Sequence, residues 1–177
     1  MIRTLHCSIK VIAWLMMLRS IAAHAAAPVE LPAPDKMPIG FLSVPDWIGV
    51  SHIDEVPQKL LIQLITKEGH AIQIAAFNQD GPALPELVSI FAATVGRSKV
   101  LFAIVKWRYY LSGVNTEGDY YEVHAYNAIK SRAGNVVFSE NIKLSNLYGS
   151  GFAGKHEGKI VNFPFKSATA IKKSLSK

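Results

Sequence analysis

The stretch Lys99–Ile129, KVLFAIVKWRYYLSGVNTEGDYYEVHAYNAI, constrains the fold more than any other. Its side chains alternate with period two, a pattern that strands impose and helices do not. In the first half Leu101, Ala103, Val105, Trp107, Tyr109 and Leu111 share one face. The other face begins apolar with Val100, Phe102 and Ile104, then turns polar at Lys106, Arg108 and Tyr110. In the second half Tyr121, Val123 and Ala125 oppose Tyr120, Glu122, His124 and Tyr126. The pattern predicts a hairpin of two long strands around the seven-residue loop Ser112–Gly118. Matching apolar to apolar and polar to polar sets Leu111 opposite Asp119. Trp107 then meets Val123 and Tyr109 meets Tyr121, while Arg108 meets Glu122, Lys106 meets His124 and Tyr110 meets Tyr120. A one-residue slip sets apolar side chains against the polar ladder and is excluded on that ground. A two-residue slip keeps the faces and stays open.

The N-terminus reads as a targeting segment. Arg3 and Lys10 precede the apolar run Val11–Leu18, and small residues follow from Ile21 to Ala27. This is the order of a secretory signal peptide. The expected cut falls after Ala23-His24-Ala25, before Ala26; a cut after Ala27 also meets the small-residue rule. Eight apolar residues fall short of the roughly 20 that span a bilayer, which disfavours the rival anchor. Cys7, the sole cysteine, precedes the apolar run and so cannot be a lipidated first residue. A mature chain without cysteine favours a bacterial periplasmic protein over an animal secreted one. It also excludes Cys₄ zinc, iron–sulfur and thiol chemistry.

The formal charge of +6 is unevenly placed. Arg3, Lys10 and Arg19 carry +3 of it inside the signal. From Lys143 onward seven lysines face Glu157 alone, so the basicity of the mature chain is C-terminal.

The remaining elements follow in order. Residues 26–39 are a Pro-rich linker, and 40–177 are expected to form one domain. Phe41–Val44 reads as a short strand. Lys59–Thr66 and Ala71–Phe77 form a hairpin around Glu68-Gly69, with both faces apolar enough to be buried. Leu84, Leu87, Val88, Phe91 and Val95 recur at helical spacing behind Pro85 and before Gly96, predicting a helix. Val136–Leu144 follows the Gly134-Asn135 turn as a third meander strand. Ser145–Lys159 is a glycine-rich loop, Ile160–Phe165 a last strand, and Ser167 caps a final helix with the stripe Ala168, Ile171, Leu175. The sum is an α+β fold: a mainly antiparallel sheet (hairpin, helix, three-stranded meander) with two helices on one face.

Four features bear on chemistry. Gly149–Gly154 matches G-x-G-x-x-G, but a strand follows where the dinucleotide fingerprint needs a helix, so no cofactor is expected. A weaker anion site remains, in which backbone amides work with Lys155 and Lys159. Glu122 and His124 share a strand face, as a general base or part of a metal site requires, yet no H-E-x-x-H or H-x-H motif supplies further ligands. A solvated ladder in which Arg108 neutralises Glu122 is the favoured reading of the pair. No G-x-S-x-G elbow nominates a nucleophile, and His52 and His70 fall in turns. Trp107, Tyr109 and Tyr121 are expected in the core, whereas Tyr110, Tyr120 and Tyr126 stand beside Arg108 and Glu122 on the outward face.

These features point to an exported, non-enzymatic binding protein acting through protein–protein contact, of inhibitor or immunity type. Its expected contact residues are Arg108, Tyr110, Tyr120, Glu122 and His124, with Lys155 and Lys159 in the adjoining loop. The alternatives are an envelope enzyme using Glu122 and His124, or a carrier holding an amphiphilic ligand between sheet and helices. The lysine-rich C-terminal part could meet an anionic envelope component. Nucleic acid is not an expected partner, since no arginine follows Arg132.

Overall fold

Branched and aromatic residues at alternate positions fit a pleated, half-buried surface, and sheet dominates the chain. The computed structural model describes residues 47–54, 56–130 and 136–176. Among these lie nine strands, in two antiparallel sheets, and two helices. The signal segment, the Pro-rich linker, the Phe41–Val44 strand and the Gly134-Asn135 turn lie outside the described residues.

β1 (Trp47–Ile53), β2 (Lys59–Ile65) and β3 (Ala71–Asn78) pair in chain order as a three-stranded sheet. The β2–β3 hairpin turns at Gly69, whose φ of 84° suits glycine. One face of this sheet is buried through Ile48, Val50, Leu60, Ile62, Leu64 and Phe77. On its other face Leu61 and Gln63 are only half-buried and their partners Ala76 and Gln73 are exposed, contrary to the expectation that both faces are covered.

The larger sheet runs β4 (Pro85–Val95), β5 (Ser98–Leu111), β6 (Thr116–Lys130), β8 (Ser150–His156) and β9 (Lys159–Val161), with β7 (Val136–Glu140) also paired to β6. Its inner face, carrying Leu101, Ala103, Val105 and Trp107, packs on the three-stranded sheet. Its outer face, carrying Val100, Phe102, Ile104, Val123 and Ala125, is covered by α1 (Ile142–Tyr148) and α2 (Ala168–Leu175). The chain thus forms three layers: small sheet, large sheet, helices. Being covered on both sides, β5 is buried without interruption from Val100 to Val105. Phe102 is fully buried, stacked on Phe91 at 5.4 Å and edge-on to Tyr148 at 5.7 Å. A side chain so enclosed contributes about 2–3 kcal/mol of transfer free energy.

Four further expectations are corrected. The segment expected as a helix, Leu84–Val95, is strand β4 from Pro85 onward. A bulge between Leu87 and Ser89 shifts its alternation by one residue, which reproduces the three- and four-residue apolar spacing of a helix. Gly96, expected as a helix stop, instead sits at φ 61° in the two-residue Gly96-Arg97 turn of the β4–β5 hairpin. Strand β7 ends at Glu140 and α1 follows, capped by Asn141 through the Leu144 amide. The expected loop Ser145–Lys159 is therefore the end of α1, strand β8 and a tight turn into β9, which itself stops at Val161.

The fourth correction moves the site. Leu111 pairs with Thr116 and Arg108 with Asp119, so the β5–β6 register differs by three residues from the one expected. An odd difference exchanges faces. Glu122, His124 and Tyr126 stand behind Val105, Ala103 and Leu101 on the inner face, and Arg108 meets Asp119 and Glu117 instead of Glu122. The final helix has the expected form: Ser167 caps it through the Ala170 amide, and Ile171 is fully buried.

Candidate functional site

Strand β6 changes neighbours along its free edge. Its first half pairs with β8, from Glu117↔Lys155 to Glu122↔Ser150. Its second half pairs with β7, beginning at Tyr126↔Glu140. Residues 123–125 lie in the gap, where an unpaired backbone amide would be costly. The Val123 amide donates to the Gly149 carbonyl, the Ala125 amide to Ser145 Oγ at 3.0 Å, and the Asn141 amide to the Ala125 carbonyl.

His124 closes the same gap at side-chain level. Its Nε2 lies 3.0 Å from Glu122 Oε2 and its Nδ1 lies 2.9 Å from Glu140 Oε1. Ser145 Oγ donates to the same Glu140 oxygen at 2.9 Å. A carboxylate at each ring nitrogen asks both to donate, which only the imidazolium can do. Burial opposes the charged form, but the bonds to Glu122 and Glu140 outweigh it and raise the His124 pKa above its ordinary value. Burial likewise pushes the Glu140 carboxyl up, and the bonds from His124 and Ser145 bring it below its usual range. Glu122 and His124 are therefore together, but as a fixed ion pair. A general base needs one imidazole nitrogen free, and here both are engaged. Among the described residues, no group of three His, Cys, Asp or Glu side chains is arranged to hold a metal.

Beyond Glu122 the inner face opens into a pocket of about 470 Å³, because the small sheet does not extend over the β5–β6 turn. Its walls are Tyr109 of β5, Tyr120 and Glu122 of β6, and Phe152 and His156 of β8, with Leu111 and Thr116 at the turn. Asp80 enters from the β3–β4 connection, which crosses this end of the sheet, and accepts a hydrogen bond from the Tyr109 hydroxyl. Burial, followed by the bond to Asp80, pushes the Tyr109 phenol well above its ordinary pKa, so it stays a neutral donor. Tyr120 donates to Ser150 Oγ at 2.7 Å, which fixes its ring. Phe152 packs against Tyr109 at 6.4 Å and His156 at 5.2 Å.

The glycine-rich segment makes this wall possible. Gly118 and Gly154 pair directly across β6 and β8. A Cβ on Gly154 would stand 2.5 Å from the Glu117 carbonyl oxygen, and one on Gly151 would stand 2.6 Å from the Phe163 ring. The G-x-G-x-x-G spacing thus serves close packing of strand and ring. The expected anion loop is not assembled. The backbone lies in the sheet ladder, and Lys155 pairs with Ile160 while Lys159 pairs with His156, so the two lysines leave opposite faces.

Arg108 and Tyr110 likewise lie on the outer face, away from the pocket. Arg108 sits within 3.5 Å of Asp119 and 3.6 Å of Glu117, and Tyr110 is 74% exposed. Lys106 of the same face pairs with Glu86 and Asp119. Tyr126, expected outside, is 5% exposed in the core between the sheets. Tyr121, expected opposite Tyr109, stacks on Phe163 beneath the helices. The space between the large sheet and the helices is filled by Phe102, Tyr148, Phe163 and Ile171. Among the described residues no helix is long and apolar enough to cross a membrane.

Of the expected contact residues, then, Tyr120 and Glu122 line the pocket, with His124 behind them. Asp80, Phe152 and His156 were not among the expected residues. Phe152 and His156 belong to a strand read as loop, and Asp80 has no motif around it. No family model matches this chain, and no curated protein or solved structure is significantly similar to it.

Proposed function

We propose that this chain is an exported, non-enzymatic binding protein that acts by protein–protein contact, of inhibitor or immunity type. The observation that carries this reading is the pocket beyond Glu122. At about 470 Å³ it has room for a side chain of a partner. Its walls combine rigid aromatic area with polar tips, the composition that anchors binding interfaces. The neighbouring imidazole is held between two carboxylates, which favours a fixed electrostatic role over proton transfer. Export rests on the signal-like order of residues 1–25.

The test is capture of the partner by the full chain in its own envelope. Cross-linked material from the wild type is compared by mass spectrometry with that from a Tyr120→Ala/Phe152→Ala variant. A partner identified with the wild type and reduced about tenfold or more by the pocket variant supports the reading. A partner captured equally by both, or a catalytic turnover lost in Glu122→Gln, overturns it.

A further inference from the structure

The charges of the β5–β6 hairpin are segregated by face. On the outer face Glu86, Glu117 and Asp119 are matched by Lys106 and Arg108. On the inner face Glu122 and Asp80 line the pocket, and among the described residues neither forms an ion pair with a lysine or arginine. His124 engages Oε2 of Glu122, and Tyr109 engages Oδ2 of Asp80. The other oxygen of each carboxylate has no hydrogen-bond partner among the described residues. Between them stand the faces and edges of Tyr109, Tyr120 and Phe152. Aromatic rings carry a negative face, and a cation held against several of them beside a carboxylate is attracted by both. An anion would meet the same groups with repulsion.

From this arrangement, and resting on the protein–protein reading above, we infer that the pocket seats a cationic side chain of the partner, a lysine or an arginine. The apolar stem of such a side chain lies along Leu111, Phe152 and the tyrosine rings, as long cationic side chains do at interfaces. Its charged head reaches Glu122 and Asp80. Occupancy gives a donor to the carboxylate oxygens that the fold itself leaves without a hydrogen-bond partner among the described residues.

The test uses peptides that differ in one side chain, a central lysine, arginine or norleucine between neutral flanks, titrated into the intact protein and followed by NMR. The expected result is saturable shifts at Tyr109, Tyr120 and Phe152 with the lysine or arginine peptide. Norleucine, which keeps the stem and lacks the charge, should bind at least about fivefold more weakly. Asp80→Asn keeps the acceptor for Tyr109 and removes the charge, so it should weaken the cationic peptide by a similar factor. Glu122→Gln is a second, independent variant with the same expectation. Equal binding of norleucine and lysine, or binding indifferent to both variants, overturns the inference. So does tighter binding of a free alkylammonium such as choline than of any peptide, which would assign the pocket to a small ligand. The outcome is independent of partner capture: a partner whose binding depends on Tyr120 and Phe152 while lysine and norleucine peptides bind alike would leave the protein–protein reading standing and this one refuted.

Discussion

Replacing His124 with alanine removes two hydrogen bonds and one half-buried ring, and the loss should depend on pH in a defined direction. Bonds of 3.0 and 2.9 Å to carboxylates contribute about 1.5–3 kcal/mol each when protected from solvent. Glu122 and Glu140 side chains are 34% and 42% exposed, so solvent screening reduces each bond to about 1 kcal/mol. The ring itself packs 4.9 Å from Phe77, and its loss adds about 1 kcal/mol. The variant should therefore be about 3 kcal/mol less stable near pH 6. The folded state raises the His124 pKa above 6.5, so native protein holds this proton more tightly than the unfolded chain. The imidazolium contribution is complete below about pH 6.5 and is lost as pH rises through the folded value, at no more than about 1.4 kcal/mol per pH unit. Above that value neutral imidazole donates to one carboxylate only, and the gap between wild type and variant narrows to about 2 kcal/mol. Urea unfolding followed by the fluorescence of the buried Trp107 reads the gap at each pH. A gap that stays constant or widens between about pH 6 and pH 9 would refute the imidazolium clamp.

Three further outcomes can be measured. Gly154→Ala places a methyl 2.5 Å from a backbone oxygen and 2.7 Å from Gly118 Cα, so β6 and β8 must part; the cost, about 1–3 kcal/mol, is read as a lower urea midpoint together with loss of the pocket's peptide response. Ser167→Ala removes the cap of α2 and should cost about 1 kcal/mol by the same unfolding assay while leaving peptide binding unchanged. Intact mass of protein recovered from the envelope should correspond to a chain beginning at Ala26; recovery of the uncut chain would overturn the signal-peptide expectation.

What was legible in the sequence is what depends on neighbours a few residues away. Ser167 identifies itself as a cap because an apolar stripe of period 3.6 begins immediately after it. The β2–β3 hairpin is legible because Glu68-Gly69 interrupts two alternating runs. Segment 84–95 misleads for a physical reason: the bulge at Val88 moves Phe91 and Val95 to the opposite face from Leu87. A one-residue phase shift between two strand patterns is hard to distinguish, over twelve residues, from one helical stripe. The β8 strand is hidden because its glycines, which usually mark loops, are selected by the close approach of Gly118 and of the Phe163 ring.

The register error has a deeper cause, and it is tied to where the pocket lies. Matching polar to polar works when one face of a sheet is wet. Here the large sheet is covered by strands on one side and helices on the other, so both faces of β5 are apolar up to Val105. Polarity then discriminates only beyond Val105, at the end where the covering layers stop. Both faces carry charge from that point on: Lys106, Arg108, Glu117 and Asp119 outside, and Glu122 inside, opposite Val105. A polar side chain near that end is compatible with either face, and pairing Arg108 with Glu122 is as reasonable by charge as pairing it with Asp119. What separates the two registers is the tight turn at Ser112–Val114, with Asn115 at φ 50°, which lets Leu111 pair with Thr116. That turn also sets Tyr120 and Glu122 on the pocket side. A longer loop, as the sequence suggests, would put Glu122 beside Arg108 and neutralise it. The observed turn leaves the acid inside, among aromatic rings and away from every cation of its own hairpin except His124, which is why recognition of a partner's cation is the role its geometry favours.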